Sequence, residues 1–174
     1  MRFEDTPEFI QSANMQPACN RVLRSVFGVT DNDIKRFKKG DELFLLDQHF
    51  HIDVVVTMPN NSTLTGQEKT LSNHFYKFKT FTMEFYQNRF TRERGEFFKI
   101  ASQFYLHGYS DRTGKEFIEW FIFDILKVID WLKDCGEDKL AQKTRPSTSK
   151  ASFLPIAYNK IPPEFILEHY AVLN

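Results

Sequence analysis

Between Phe50 and Thr57 the side chains alternate: Phe50, Ile52, Val54 and Val56 share one side, and His51, Asp53, Val55 and Thr57 the other. A period of two is that of a strand with one buried face. The turn-forming cluster Pro59-Asn60-Asn61-Ser62 follows, and Leu64 to Thr70 is a second extended run. Two such neighbouring strands set the carboxylate of Asp53 beside Gln67 and Lys69. The latter two share a strand face because they lie two residues apart.

The rest of the chain predicts a mixed architecture. Residues 17–27 read as a helix that opens at Pro17, carries Val22, Leu23, Val26 and Phe27 at helical spacing, and stops at Gly28. Thr30 to Asp33 offer N-caps for a short helix through Ile34 and Phe37. Leu43 to Leu46 fit a strand, Thr80 to Tyr86 another by composition, and Gln103 to Tyr109 a third that turns at Asp111 to Gly114. Residues 71–79 fit neither period cleanly. A short helix is expected over Gly95 to Ala101, a strand over Phe117 to Phe123, and a helix through Ile125, Leu126, Ile129 and Leu132, with one continuous helix as the rival. Residues 136–150 read as a polar loop, and Glu164 to Tyr170 as a final short helix. Helices and strands in this order make an α/β single domain, a central mixed β-sheet flanked by helices. Its core spans about 17–134, and 151–174 form a C-terminal extension.

A chain of 174 residues is long enough to bury a core without disulfides. Cys19 and Cys135 make neither a disulfide framework nor a zinc pattern, which suits a reduced, cytoplasmic setting. Neither a signal peptide nor a membrane-length apolar run is visible, and no glycine-rich loop calls for an organic cofactor. The 23 basic residues balance the 23 acidic ones, so the chain does not coat nucleic acid by bulk charge. Basic residues are nevertheless clustered. Lys35, Arg36, Lys38 and Lys39 form one group and Arg89, Arg92 and Arg94 another, with Phe37 and Phe90 among them. Phosphate contact is one reading of these clusters and a solvated face is the other.

The Asp53, Gln67 and Lys69 set fits metal-assisted phosphodiester hydrolysis. That chemistry needs a cation held by oxygen, an activated water and a positive charge near the phosphate. Mg²⁺ takes oxygen ligands and keeps several waters, so one carboxylate and one amide oxygen suffice, with the backbone carbonyl of Glu68 as a further ligand, or its side chain if the strand bulges. The same residues also fit a solvated strand end.

The segments Leu46 to Val56 and Leu64 to Thr70, with Ile52-Asp53 on one strand and Gln67-Glu68-Lys69 on the next, resemble the PD-(D/E)XK nuclease superfamily, in particular its phage and prokaryotic members. The resemblance spans roughly residues 17–134. It implies a restriction-endonuclease-like fold and Mg²⁺- or Mn²⁺-dependent cleavage of DNA. Asp53 matches the metal-binding aspartate, Lys69 the lysine, and Gln67 the position usually held by Asp or Glu. The glutamine removes one negative charge, and a non-catalytic relative that binds DNA or a protein partner is the alternative it keeps open. Asp47, Glu84 and His51 are secondary candidates for the same site. A homodimer is the form in which two sites would cut both strands.

His49-x-His51-x-Asp53 also resembles the first part of the metallo-β-lactamase zinc motif, which implies a zinc-dependent hydrolase. Val54 stands where that motif continues with histidine.

Overall fold

The computed structural model describes residues 7–37, 45 and 49–172. Helix α1 (Pro7–Phe27) contains Pro17 in its interior and does not begin there. An interior proline removes one backbone hydrogen bond and disfavours the helix. Here the face formed by Met15, Ala18, Cys19, Val22 and Leu23 is buried against the sheet and carries the helix through. Gly28 ends it at φ +65°, donating its N–H to the Arg24 carbonyl. The short helix expected after Thr30 is only a 3-10 turn over Asp31–Asp33. The chain then extends into strand β1 (Ile34–Arg36).

Strand β2 (Val54–Thr57) pairs antiparallel with β1 and with β3 (Thr63–Leu71). The expected alternation holds for Ile52, Val54 and Val56, which are buried, but not for Phe50, which is exposed. The strand is therefore shorter than its pattern: His51, at φ +50°, bends the chain ahead of it. A 3-10 turn over Asn73–Phe78 leads to β4 (Thr80–Asn88), β5 (Glu93–Arg94) and the short helix α2 (Glu96–Lys99). Strand β6 (Phe104–Ser110) then returns parallel to β3. Strand β7 (Phe117–Asp124) runs straight into helix α3 (Ile125–Asp134), capped by the Asp124 side chain.

Two expectations fail beyond this point. Residues 136–150 are not a loop throughout, since they carry helix α4 (Glu137–Lys143) and strand β8 (Arg145–Pro146). Leu140 gives α4 its hold, being buried in the core. The final helix is instead a 3-10 turn over Pro163–Phe165 followed by strand β10 (Ile166–Ala171). Pairing with β7 decides this, because Tyr170 stacks on Trp120 and His169 on Phe121. Of the strand expected at Leu43 to Leu46, only Leu45 lies among the described residues, and it is helical.

The strands form two sheets. One is six-stranded and mixed, in the order β1-β2-β3-β6-β7-β10; the other is four-stranded, in the order β5-β4-β9-β8, with β9 at Ser152–Ala157. Helix α1 covers one face of the larger sheet, packing on Val54, Val56, Phe104, Leu106 and Ile122. The other face meets the smaller sheet and α3. Phe81, Met83, Phe85, Leu154 and Ile156 pack there with Tyr105, Phe121, Phe123, Ile125 and Val128. Helices alone do not flank the central sheet: a second sheet covers one side. Each fully buried Phe in this layer contributes roughly 1.5–3 kcal/mol. Gly66 is required where β3 meets β6, since a Cβ there would lie 2.1 Å from the Phe104 ring. Among the described residues no helix is long and apolar enough to cross a membrane.

Candidate active site

Strand β3 separates its side chains cleanly. Glu68 points to the α1 side, where its carboxylate takes a two-pronged bond from Arg36 at 2.7 Å through both Nε and Nη2. Arg36 also reaches the Asn20 side chain. Both partners are mostly buried, with side-chain exposures of 16% and 10%. Burial works against the Arg36 charge, but the Glu68 carboxylate outweighs it and holds the guanidinium more firmly protonated than usual. Glu68 is thus a structural partner of Arg36, and its carboxylate is not available to a cation on the other face. No bulge in β3 turns it round, since the register with both neighbouring strands is unbroken.

Gln67 and Lys69 point to the opposite face, toward the second sheet. Asp53 stands where β2 begins. Its N–H donates to the Gly66 carbonyl at 2.9 Å, and its Oδ2 accepts the Glu68 N–H at 3.0 Å. The aspartate is therefore fixed beside the Gln67-Glu68-Lys69 segment. Gln67 Oε1 is buried and has no hydrogen-bond partner among the described residues. A buried acceptor without a donor is costly, roughly 1–3 kcal/mol, and calls for a water, a ligand or a cation.

The Lys69 stem runs under β4. Its Nζ donates to the Thr82 carbonyl at 3.1 Å and lies 4.8 Å from the centre of the Phe153 ring. Burial lowers the Lys69 pKa, while the negative charges of Glu96 and Glu84 pull it back up. Glu84, on β4, is raised by burial and by Glu96, with Lys69 and Lys99 opposing. Glu84, one of the secondary candidates, thus shares the electrostatic neighbourhood of Lys69.

Three residues that the sequence does not mark as site candidates join this face. Glu96 opens α2 with only 5% of its surface exposed. Its Oε1 accepts the Tyr105 hydroxyl at 2.7 Å and its Oε2 accepts the Glu84 N–H at 3.2 Å. Tyr105 is the register partner of Gln67, and His107 that of Lys69, on the parallel strands β3 and β6. Burial and the Glu96 charge push the Tyr105 hydroxyl pKa well up, so it stays a donor. In the sequence Glu96 reads only as an acid at a helix start; its burial depends on Gly95, where a Cβ would meet the Glu84 carbonyl at 2.8 Å.

The other candidates disperse. The His51 carbonyl accepts the Ser102 hydroxyl at 2.6 Å. Among the described residues no three His, Cys, Asp or Glu side chains gather closely enough to hold a metal ion, so His49, His51 and Asp53 do not form a zinc cluster. Asp47, Lys38 and Lys39 lie outside the described residues. Arg36 is committed to Glu68, and Arg89 to the carbonyls of Ser147, Ser149 and Ala151, so neither is a surface cation waiting for phosphate. Lys35 and Arg92 are exposed, and Arg94 is exposed beside Glu137 at 3.4 Å. Cys19 is a buried free thiol whose pKa is raised by burial and by the Glu68 charge, which makes it inert.

The chain matches no family model, no curated protein and no solved structure.

Proposed function

We propose that this chain is a metal-dependent endonuclease that hydrolyses DNA phosphodiester bonds, built on the PD-(D/E)XK plan. The observation that carries the reading is the placement of Asp53. It is hydrogen-bonded to the backbone of Glu68, while Gln67 and Lys69 share the strand face away from α1. The order of the larger sheet supports it as well: after α1 come three antiparallel strands, and β6 then returns parallel to β3, with β4, β5 and α2 between them in the chain.

The donor set suits Mg²⁺ or Mn²⁺ and not a soft metal. Asp53 supplies a carboxylate and Gln67 an unpartnered, buried amide oxygen, and hard cations accept such oxygens with water completing the shell. Asp53 and Gln67 would hold the ion, which supplies Lewis acidity toward a phosphate oxygen. Lys69 supplies a positive charge beside them. Thr82 takes one of the three N–H bonds of its ammonium, leaving donors to orient a water and to offset charge on the phosphate.

The test is cleavage of supercoiled plasmid and linear duplex with Mg²⁺, Mn²⁺ or chelator. Wild type should nick DNA only with metal, and Lys69→Ala and Asp53→Asn should lose at least about 100-fold while melting cooperatively. Metal-independent cutting, or full activity in Asp53→Asn, removes the proposal. A second reading, a non-catalytic domain that binds DNA or protein, is favoured by Gln67 in place of an acid. It predicts no cutting by wild type and DNA affinity that survives Asp53→Asn.

A further inference from the structure

The polar cluster under the second sheet contains more than the proposed reaction uses. Glu96 is almost wholly buried, and so is Tyr105, whose hydroxyl it accepts. Its other oxygen takes the N–H of Glu84 on β4, the strand whose Thr82 carbonyl holds the Lys69 ammonium two residues earlier. Tyr105 in turn stands beside Gln67 across the β3–β6 ladder. One carboxylate is therefore tied by hydrogen bonds to the strand that grips Lys69 and to the neighbour of Gln67. Gly95 permits this by letting the helix start press against Glu84, at a distance no side chain would tolerate.

Stability does not explain such a cluster. Buried charged groups are often replaced by apolar residues at no cost or with a gain, so the buried Glu96-Tyr105 pair beside Lys69 is weak evidence of stabilisation. Pre-organised charge beside a reacting group is where such a network is useful.

We propose that Glu96 is a positioning residue for Lys69, fixed by Tyr105 and the Glu84 backbone so that its charge holds the lysine ammonium against β4 and beside Gln67. Because Gln67 carries no charge and the Glu68 carboxylate is spent on Arg36 on the other face, Glu96 supplies from α2 a negative charge that this face of β3 lacks. This inference rests on the nuclease reading for its catalytic consequence, but not for the placement of Lys69.

The test pairs kinetics with a direct view of the ammonium. Glu96→Gln and Tyr105→Phe are made in the full chain, and their folding is checked by cooperative melting. A misplacement of about an ångström costs about 100-fold. Each variant should lower kcat for DNA cleavage by that order, with KM within about twofold. Independently, lysine Nζ-detected NMR should show one slowly exchanging ammonium, assigned by its loss in Lys69→Arg. That signal should vanish or broaden in Glu96→Gln. An unchanged Lys69 signal in both folded variants overturns the proposal whatever kcat does, and so does an unchanged kcat in an active enzyme. If wild type cuts nothing, the nuclease reading falls, and the NMR result alone decides the placement: signal lost in Glu96→Gln upholds it, signal kept refutes it.

Discussion

His107 has no exposed surface, meets the Tyr158 hydroxyl at 2.8 Å through Nδ1, and has no partner for Nε2 among the described residues. Burial, and then the nearby charge of Lys69, lower its pKa well below the usual value of 6.5. The folded chain therefore refuses a proton that the unfolded chain accepts below about pH 6.5. Stability from this residue is present above that pH and is lost as pH falls through it toward the depressed folded value. His107→Gln keeps a partner for Tyr158 and does not titrate. Between pH 7.5 and 5 the wild-type melting temperature should drop more than that of the variant; parallel curves would refute the assignment. Arg36 makes a different point. Arg36→Met leaves the mostly buried Glu68 carboxylate without its cation, which should cost about 3–5 kcal/mol in urea unfolding. The Arg36→Met/Glu68→Met pair should recover most of that loss, and a single-variant cost below about 1 kcal/mol would show the pair to be no more than a surface contact.

Among the elements, α1 lacks one backbone donor in its interior, at Pro17. Pro17 is exposed and within the helix, so Pro17→Ala restores a backbone donor without disturbing the buried face. It should raise the unfolding free energy by about 1–3 kcal/mol, measured by urea titration; no change would mean that the helix is already distorted there. The same proline marks a limit of sequence reading. Proline at a first turn and proline inside a helix held by packing look alike until the apolar face is known to be covered. Strands β3, β4, β6 and β7 were legible because alternation and β-branched or aromatic residues agreed. Strand β10 was not, because Ile166 to Ala171 is mostly exposed and owes its conformation to pairing with β7. The Asp53, Gln67 and Lys69 constellation could be read from the hairpin. Tyr105 and His107 could not, because they reach Gln67 and Lys69 through a parallel β3–β6 pairing that no local pattern encodes, and Glu96 could not, because it joins them from α2 through the Tyr105 hydroxyl and the Glu84 N–H.

At the scale of the whole molecule, the segment after residue 150 is woven into both sheets. Strand β9 lies against β4 in the smaller sheet and β10 against β7 in the larger. Leu154, Ile156 and Ile161 are buried in the central core. Truncation at residue 150 should therefore abolish cooperative unfolding in a thermal melt; a truncated chain that still melts sharply would show the earlier residues to be an autonomous unit. The two sheets also explain why the candidate site is deep. The second sheet closes over Lys69, whereas Asp53, at the start of β2, is only partly buried. Whether Asp53 and Gln67 hold a divalent ion is thus the point on which the functional account turns, and calorimetric titration with Mn²⁺ measures it directly. Wild type should bind one equivalent and Asp53→Asn none. Gln67→Glu, by adding a carboxylate worth about 1.4 kcal/mol, should bind about tenfold more tightly. Equal binding by wild type and Asp53→Asn, or none by folded wild type, would contradict it.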